Sequence, residues 1–298
     1  MGASFTVIVN PAAGRGRMAR LLPRIEDAIA AADLDAEIRL SRHPGEPPAL
    51  AHEAVDAGRV VVACGGDGMV GMLAGAVADR AAAGDEAVLG IIPAGSGNDF
   101  ARTVGLPHDD PLAAVGLLDR SDVTRVDLGR IGDRWFACVA SAGFDSEANR
   151  WANTVTRLHG TPLYVAAVLR TLATYRPRPV RIVVDGTEHH RRAWLVAVGN
   201  GRSYGGGMQV TPAADVRDGR LEVTVVSDVS RFEFLRTFPR VFKGTHVDHP
   251  AVDTFTGQEV AVETTESGDM QVFADGEDFG TLPVTVRVVP AALPLLLP

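Results

Sequence analysis

The run Val60 to Cys64 is apolar at every position, ends without a linker in Gly65-Gly66-Asp67-Gly68, and leads into a helical pattern from about Met69 to Ala83. An uninterrupted apolar strand must be covered on both faces. A glycine-rich turn between such a strand and a helix aims successive backbone N–H groups, and the helix N-terminus, at one point. The junction therefore implies a parallel α/β sheet with an anion-binding edge. It recurs twice. Val88 to Ile92 leads into Pro93-Ala94-Gly95-Ser96-Gly97-Asn98-Asp99 and a helix from Asp99, and Phe5 to Val9 leads into Asn10-Pro11-Ala12-Ala13-Gly14-Arg15-Gly16-Arg17 and a helix near Met18 to Ala31. A strand at Glu37 to Leu40 and a helix near Glu46 to Ala57 complete a set of βαβ units. Ligands of such sheets bind beyond the carboxyl ends of the strands, where all three loops must lie.

A carboxylate at Asp67 would repel phosphates unless a divalent cation stood between, so a triphosphate with magnesium accounts for the loop better than a free anion does. The plainer alternative is a glycine turn with a capping Asp. In the second loop Ser96 and Asn98 are candidate phosphate contacts, although Ser96 with Asp99 three residues on also fits a capping box. The first loop contains Gly14-x-Gly16-x-x-Ala19, a weak match to the dinucleotide fingerprint, with Asp33, Asp35 and Glu37 near the position of a ribose-binding acid. No Gly-Lys-Ser/Thr follows it, so it is not a Walker A loop.

With 298 residues, the chain has roughly twice the usual ~150 of one domain, and its texture changes near residue 126. Strand runs follow at Val126 to Ile131, Trp135 to Ala140, Val180 to Val184, Trp194 to Val198, Leu221 to Val226, Glu259 to Thr264, Met270 to Ala274 and Val284 to Val289. Asp-Gly and Ser-Gly-Asp turns between them imply antiparallel pairing. The expected architecture is an N-terminal Rossmann-like α/β nucleotide-binding domain over residues 1–126 and a C-terminal antiparallel β-sandwich over 127–289, with the tail 290–298 returning to the first domain. Two helical insertions interrupt the second half, near Arg150 to Thr174 and Arg231 to Phe242; the first carries an aliphatic face (Leu163, Val165, Ala166, Leu169, Leu172) that reads as core.

The net charge of −8 argues against a nucleic-acid partner. Arg170, Arg176, Arg178, Arg181, Arg191 and Arg192 nonetheless cluster, either as solvated surface, the preferred reading, or as a face for anionic lipid. Cys64 and Cys138 sit in apolar runs without metal-type spacing and read as packed thiols. No stretch resembles a signal peptide or a membrane span, so a cytoplasmic protein with transient peripheral membrane contact is expected. A homodimer is left open.

Three signatures in order, Asn-Pro-x-x-Gly at 10–14, Gly-Gly-Asp-Gly at 65–68 and Pro-x-Gly-Ser-x-Asn-Asp-Phe-Ala at 93–101, make the chain resemble the diacylglycerol and sphingosine kinase family, closest to its bacterial soluble diacylglycerol kinases and YegS-like lipid kinases. The resemblance spans essentially the whole chain. It implies an α/β domain similar to those of NAD kinases and phosphofructokinases, paired with a β-sandwich, and transfer of the ATP γ-phosphate to the hydroxyl of diacylglycerol or a related lipid. By the same resemblance ATP would be held by Asn10, Pro11, Gly14, Ser41, Gly65, Gly66, Asp67, Gly68, Met69, Gly71, Gly95, Ser96, Asn98 and Asp99. Asp275-Gly276-Glu277 would be the catalytic element with Asp67, and Glu277 its general base. An alcohol needs such a base as transfer proceeds. Asp275-Gly276 also reads as a hairpin turn.

The resemblance further assigns a structural magnesium to Asp215, Asp218 and the backbone carbonyl of Arg220, where Asp218-Gly219 is equally an ordinary turn. Met69, Gly71 and Met72 depart from the family pattern, which has Thr, Asn and Glu there. Competing readings are a sphingosine-type lipid kinase, an NAD kinase-like enzyme, a nicotinamide-dependent oxidoreductase using the first loop, and a non-catalytic binding module.

Overall fold

The computed structural model describes residues 3–11, 17–43, 45–154, 167, 170–266 and 268–298. Gly14 and Gly16 of the first loop, and Leu163, Val165, Ala166 and Leu169 of the first helical insertion, lie outside the described residues.

Four parallel strands, β1 (Ser4–Val9), β2 (Asp35–Leu40), β3 (Val60–Gly65) and β4 (Leu89–Pro93), stand in the order β2-β1-β3-β4. β3 and β4 are almost wholly buried, as unbroken apolar strands must be when helices cover both faces. On one face lie α2 (Pro47–Asp56) and α3 (Asp67–Ala82), the latter clustering Leu73 and Val77 with Ala63 and Ile91 of the sheet. On the other lies α1 (Arg17–Ala31), whose Met18 and Ile25 are buried against Val7 and Val62. The helix expected from Asp99 lasts only five residues (α4, Asp99–Thr103), ended by Gly105 in the left-handed region and Pro107. Then α5 (Pro111–Val115) starts on a proline, and the Asp110 carboxylate accepts from the N–H groups of Leu112 and Ala113.

The remaining strands are β5 (Asp122–Ile131), β6 (Arg134–Phe136), β7 (Val139–Gly143), β8 (Arg178–Val184), β9 (Thr187–Gly199), β10 (Leu221–Ser227), β11 (Val252–Gly257), β12 (Glu259–Thr264), β13 (Gln271–Ala274), β14 (Glu277–Thr281) and β15 (Val284–Leu297). Among themselves they pair antiparallel in the order β14-β13-β7-β9-β8-β12-β15, with β10 and β11 added on β9 and β5 and β6 on β15. They form the β-sandwich and enclose a second core of Ile182, Val196, Val223, Val260, Val272 and Val286. Two of these strands, β11 and β14, have no apolar run in the sequence. β14 is largely exposed and owes its place to the hairpin turn before it.

β15 joins the halves. Its first part pairs with β12, and its last part places Leu295 parallel to Leu89 of β4 while β5 runs antiparallel along both parts. Two further helices belong to this half: α6 (Phe144–Thr154), leaving β7, and α7 (Arg231–Thr237), capped by Ser230 and continuing as a 3₁₀ segment, Phe238–Lys243. No helix among the described residues is long and apolar enough to cross a membrane. Both cysteines are buried and free; burial pushes the Cys64 thiol up to about 12. The arginine cluster is largely neutralised at the surface. Arg181 pairs with Glu188 and Glu263, Arg191 with Asp253, Arg192 with Glu266, and Arg178 donates to the carbonyls of Gly268 and Asp269.

Candidate active site

The two complete glycine loops form one structure. β3 and β4 run in register to Gly65 opposite Pro93, and Ala94 N–H donates to the Gly65 carbonyl. The chains then approach so closely that a Cβ on Gly95 would stand 2.4 Å from the Gly66 Cα. Only glycine fits that crossing, which leaves both turns with bare backbone facing the sheet edge. The Asp67 Oδ1 accepts from Phe100 N–H at the start of α4, tying the first helix turn after one loop to the second loop. Burial, then the nearby Asp99 charge, raise the Asp67 carboxyl above its usual range.

Other members of the second loop serve to build it. Asn98 is in the left-handed region with its amide turned inward, Oδ1 accepting from Gly95 N–H and Nδ2 donating to the carbonyls of Gly95 and His108. Its side chain thus holds the loop rather than presenting a group to a phosphate. The Ser96–Asp99 capping box is absent, because the Asp99 carboxylate accepts instead from Ser203 Oγ at 2.9 Å and from Gly206 and Gly207 N–H at 2.7 and 2.8 Å. Ser96 is exposed at the loop tip. Met69 is buried in the core, so only its backbone N–H, unpaired in the first turn of α3, can face a ligand. Ser41, at the end of β2, has a buried Oγ with no partner, the orphaned hydroxyl a nucleotide site would supply with one. Asn10 and Pro11 are half-buried where β1 ends.

The second domain reaches this edge through the β13–β14 hairpin. Asp275 and Gly276 both have positive φ, 50° and 85°, and join Ala274 to Glu277 as a two-residue turn. The Asp275 carboxylate accepts from the N–H groups of Ala137, Cys138 and Val139 at 2.6 to 3.1 Å. It pins the hairpin to the start of β7, so its role is to position the turn. Burial, opposed by those three amides, leaves it at about 6. The hairpin tip lies on the first turns of α3. A Cβ on Gly68 would stand 3.9 Å from Glu277 Oε1, and one on Gly71 would stand 3.8 Å from Asp275 Oδ2. The exposed Glu277 carboxylate therefore faces the Asp67 loop, and Gly71 is where the helix accommodates the hairpin.

A cavity of about 780 Å³ opens beside these groups. One end is polar, with Asp67, Ser96, Asp99 and Asp275, and the other is apolar, with Phe144, Leu195, Phe234, Phe238 and Val241. Between them is Asp145, at the start of α6, whose Oδ2 is buried with no partner. Burial raises its carboxyl, against hydrogen bonds from Ser141 and Ser146. Sequence reasoning missed Asp145, as it missed the Ser203–Gly207 clamp on Asp99. The strand-to-helix junction Gly143-Phe144-Asp145 and the triplet Gly205-Gly206-Gly207 were the signals for them.

Asp215, Asp218 and Arg220 share one exposed loop away from the cavity. One oxygen of each carboxylate accepts from an N–H two residues on, Arg217 and Arg220, and the second oxygen has no partner among the described residues. No group of three or more His, Cys, Asp or Glu that could hold a metal occurs among the described residues. A cation there would rely on two exposed carboxylates and backbone carbonyls, which the loop can offer.

Comparison with known proteins is consistent along the chain. A family model described as the diacylglycerol kinase catalytic domain matches residues 4–131, and one described as the YegS C-terminal NAD kinase beta sandwich-like domain matches residues 138–297. A protein of Mycobacterium tuberculosis (strain ATCC 25618 / H37Rv) named diacylglycerol kinase is 39% identical over 307 residues, covering 98% of this chain and 94% of that protein. A protein of Chromohalobacter salexigens described as a YegS-like lipid kinase is 35% identical over 210 residues, 69% of this chain and 67% of that one. A crystal structure from Bacillus anthracis str. Sterne, provisionally described as a diacylglycerol kinase, superposes with a TM-score of 0.81 at 26% identity, covering 100% of this chain and 96% of that chain.

Proposed function

The chain belongs to the diacylglycerol kinase family of lipid kinases, and from that premise we propose that it transfers the γ-phosphate of ATP to the hydroxyl of diacylglycerol, giving phosphatidic acid. The observation that carries the reading is the meeting of two unlike surfaces at one point. Glu277, from the β-half, faces the Asp67 loop of the α/β half, and Asp67 and the neighbouring Asp275-Gly276 turn line the cavity whose other walls include Phe144, Phe234 and Phe238.

The backbone N–H groups of Gly65 to Met69 and of Ser96 and Gly97 cradle the polyphosphate at the N-terminus of α3, and Ser41 supplies its unpartnered hydroxyl to the nucleotide. Magnesium fits beside Asp67, where two close carboxyls and a triphosphate otherwise repel one another, and when bound it neutralises phosphate charge. Glu277 accepts the proton of the incoming hydroxyl. Because transfer depends mainly on placement, holding base and nucleotide loop in register through Asp275 is part of the catalysis. Asp145 faces the acceptor near the cavity's polar end. Its unpartnered Oδ2 can accept a hydrogen bond from an acceptor hydroxyl.

The test is transfer of labelled phosphate from magnesium-ATP to diacylglycerol, with sphingosine, ceramide and NAD as competing acceptors. Glu277→Gln and Asp67→Ala are each expected to lower turnover by about 10² to 10⁴ while melting stays cooperative. Wild-type rates in both variants would remove the mechanism. Exclusive labelling of sphingosine or NAD would change the acceptor and leave the site in place.

A further inference from the structure

Five large hydrophobic side chains are exposed among the described residues, and three of them, Phe232, Leu235 and Phe242, fall within Arg231–Lys243. Phe232 is the most exposed, at 77%. Phe232 and Leu235 are three residues apart on α7 and share a face. The same stretch has four basic residues, Arg231, Arg236, Arg240 and Lys243, and the single acid Glu233, which turns inward to His249 at 3.2 Å. Among the described residues Arg236 and Lys243 have no acidic partner, and Arg240 has only a 3.9 Å approach to Asp248. A local excess of cations on a chain of net charge −8 is the reverse of its average surface. It also differs from the Arg178–Arg192 cluster, whose guanidinium groups are mostly paired.

The inner face of the segment belongs to the cavity. Phe234 packs at 4.8 Å on Phe144 and 4.9 Å on Trp194, and the aromatic row continues through Phe238 at 6.3 Å to Phe242 at 6.4 Å. Phe242 lines the cavity and is half exposed, so the apolar path runs unbroken from the carboxylates to the outer surface.

We propose that the outer flank of Arg231–Lys243 is the surface on which this protein meets an anionic lipid bilayer, with Phe232, Leu235 and Phe242 entering the interface and the basic side chains contacting lipid phosphates. The inference rests on the lipid-acceptor reading in that the cavity behind the segment is the destination of a bilayer lipid. Buried apolar area and opposite charge are the two contributions that hold a peripheral element on a membrane, and both are present on one flank here.

The full chain is sedimented with vesicles of phosphatidylcholine alone and with phosphatidylglycerol added, without nucleotide. Wild type is expected to bind the anionic vesicles and bind the neutral ones at least about tenfold more weakly. The double variants Phe232→Ser/Leu235→Ser and Arg236→Glu/Lys243→Glu are expected to lose at least about tenfold in anionic vesicle binding and to turn over bilayer-embedded diacylglycerol correspondingly more slowly. Their turnover of a dispersed short-chain diacylglycerol should equal that of wild type. Anionic vesicle binding equal to wild type in both double variants, or equal wild-type binding to both vesicle types, overturns the proposal. So does a shift from dimer to monomer in the variants with vesicle binding retained, which would make the flank a self-interface. If wild type phosphorylates no diacylglycerol in any form, the function reading fails, while the binding measurements still decide the surface.

Discussion

Asp275 and Glu277 stand two residues apart and have opposite environments. Asp275 is enclosed by three amides and held near 6, whereas the Glu277 carboxylate is exposed and has no hydrogen-bond partner among the described residues. A folded-state value above the usual 3.8 means that the stabilising contribution of Asp275 is complete below about 3.8 and is lost as pH rises through about 6. The full difference is on the order of 3 kcal/mol. Asp275→Asn carries no charge to bury. Relative to wild type its denaturant stability should therefore improve between pH 4 and pH 7, and an unchanging difference would mean the carboxyl is not perturbed. Glu277→Gln should leave the melting temperature at pH 7 close to that of wild type, since the exposed carboxylate has no hydrogen bond to lose among the described residues. Gly95 is limited by space, since its neighbour at 2.4 Å is backbone and cannot rotate aside. Gly95→Ala is expected to separate the two loops and to abolish the thermal shift produced by magnesium-ATP.

At the scale of elements, the active edge depends on how α3 meets the β-half. The Trp135 ring of β6 lies over Gly75, 3.2 Å from where a Cβ would stand, and its Nε1 donates to Asp79 Oδ1 at 2.8 Å. At the other end of the contact, Gly71 leaves room for Asp275. Two small residues one helical turn apart thus set the spacing between helix and hairpin. Gly75→Val should force the ring outward, costing about 1–3 kcal/mol, and should lower kcat more than it raises the KM for ATP, because the two glycine loops stay intact while Glu277 moves. A rise in KM alone would show that the contact serves nucleotide binding instead. The Met69, Gly71 and Met72 departures from the family pattern take on meaning here: Met69 fills core and Gly71 makes room for the hairpin.

Over the whole molecule, β15 links the two cores, with Val286 in the sandwich and Leu293 and Leu295 under the α/β sheet, and β7 and β9 likewise contribute to both. Leu293, Leu295, Leu296 and Leu297 are nearly or wholly inaccessible. Exposing each costs about 1.5–3 kcal/mol, and their sum rivals the 5–15 kcal/mol that holds an ordinary domain together. Deleting residues 290–298 should abolish cooperative unfolding measured by circular dichroism. A truncated chain that still melts in one sharp transition would show that the sandwich carries the stability alone. Asp127 reinforces the junction, accepting from Gly219 and Ala291 N–H at 2.7 Å each.

The sequence alone determined the parallel sheet, its order of strand, loop and helix, the two complete glycine loops and the Asp275-Gly276 turn, because each is encoded within a few consecutive residues by apolar run, glycine and turn chemistry. It also carried the family pattern. The tertiary structure decided which carboxylates do what. Asp99 is claimed by a loop 104 residues away, Asp275 holds a hairpin in place, Asp145 keeps one buried oxygen without a partner beside the cavity, and Glu277 is left to face the Asp67 loop. An Asp reads the same in any sequence. Its charge, partners and accessibility depend on which distant backbone amides and apolar walls the fold brings to it.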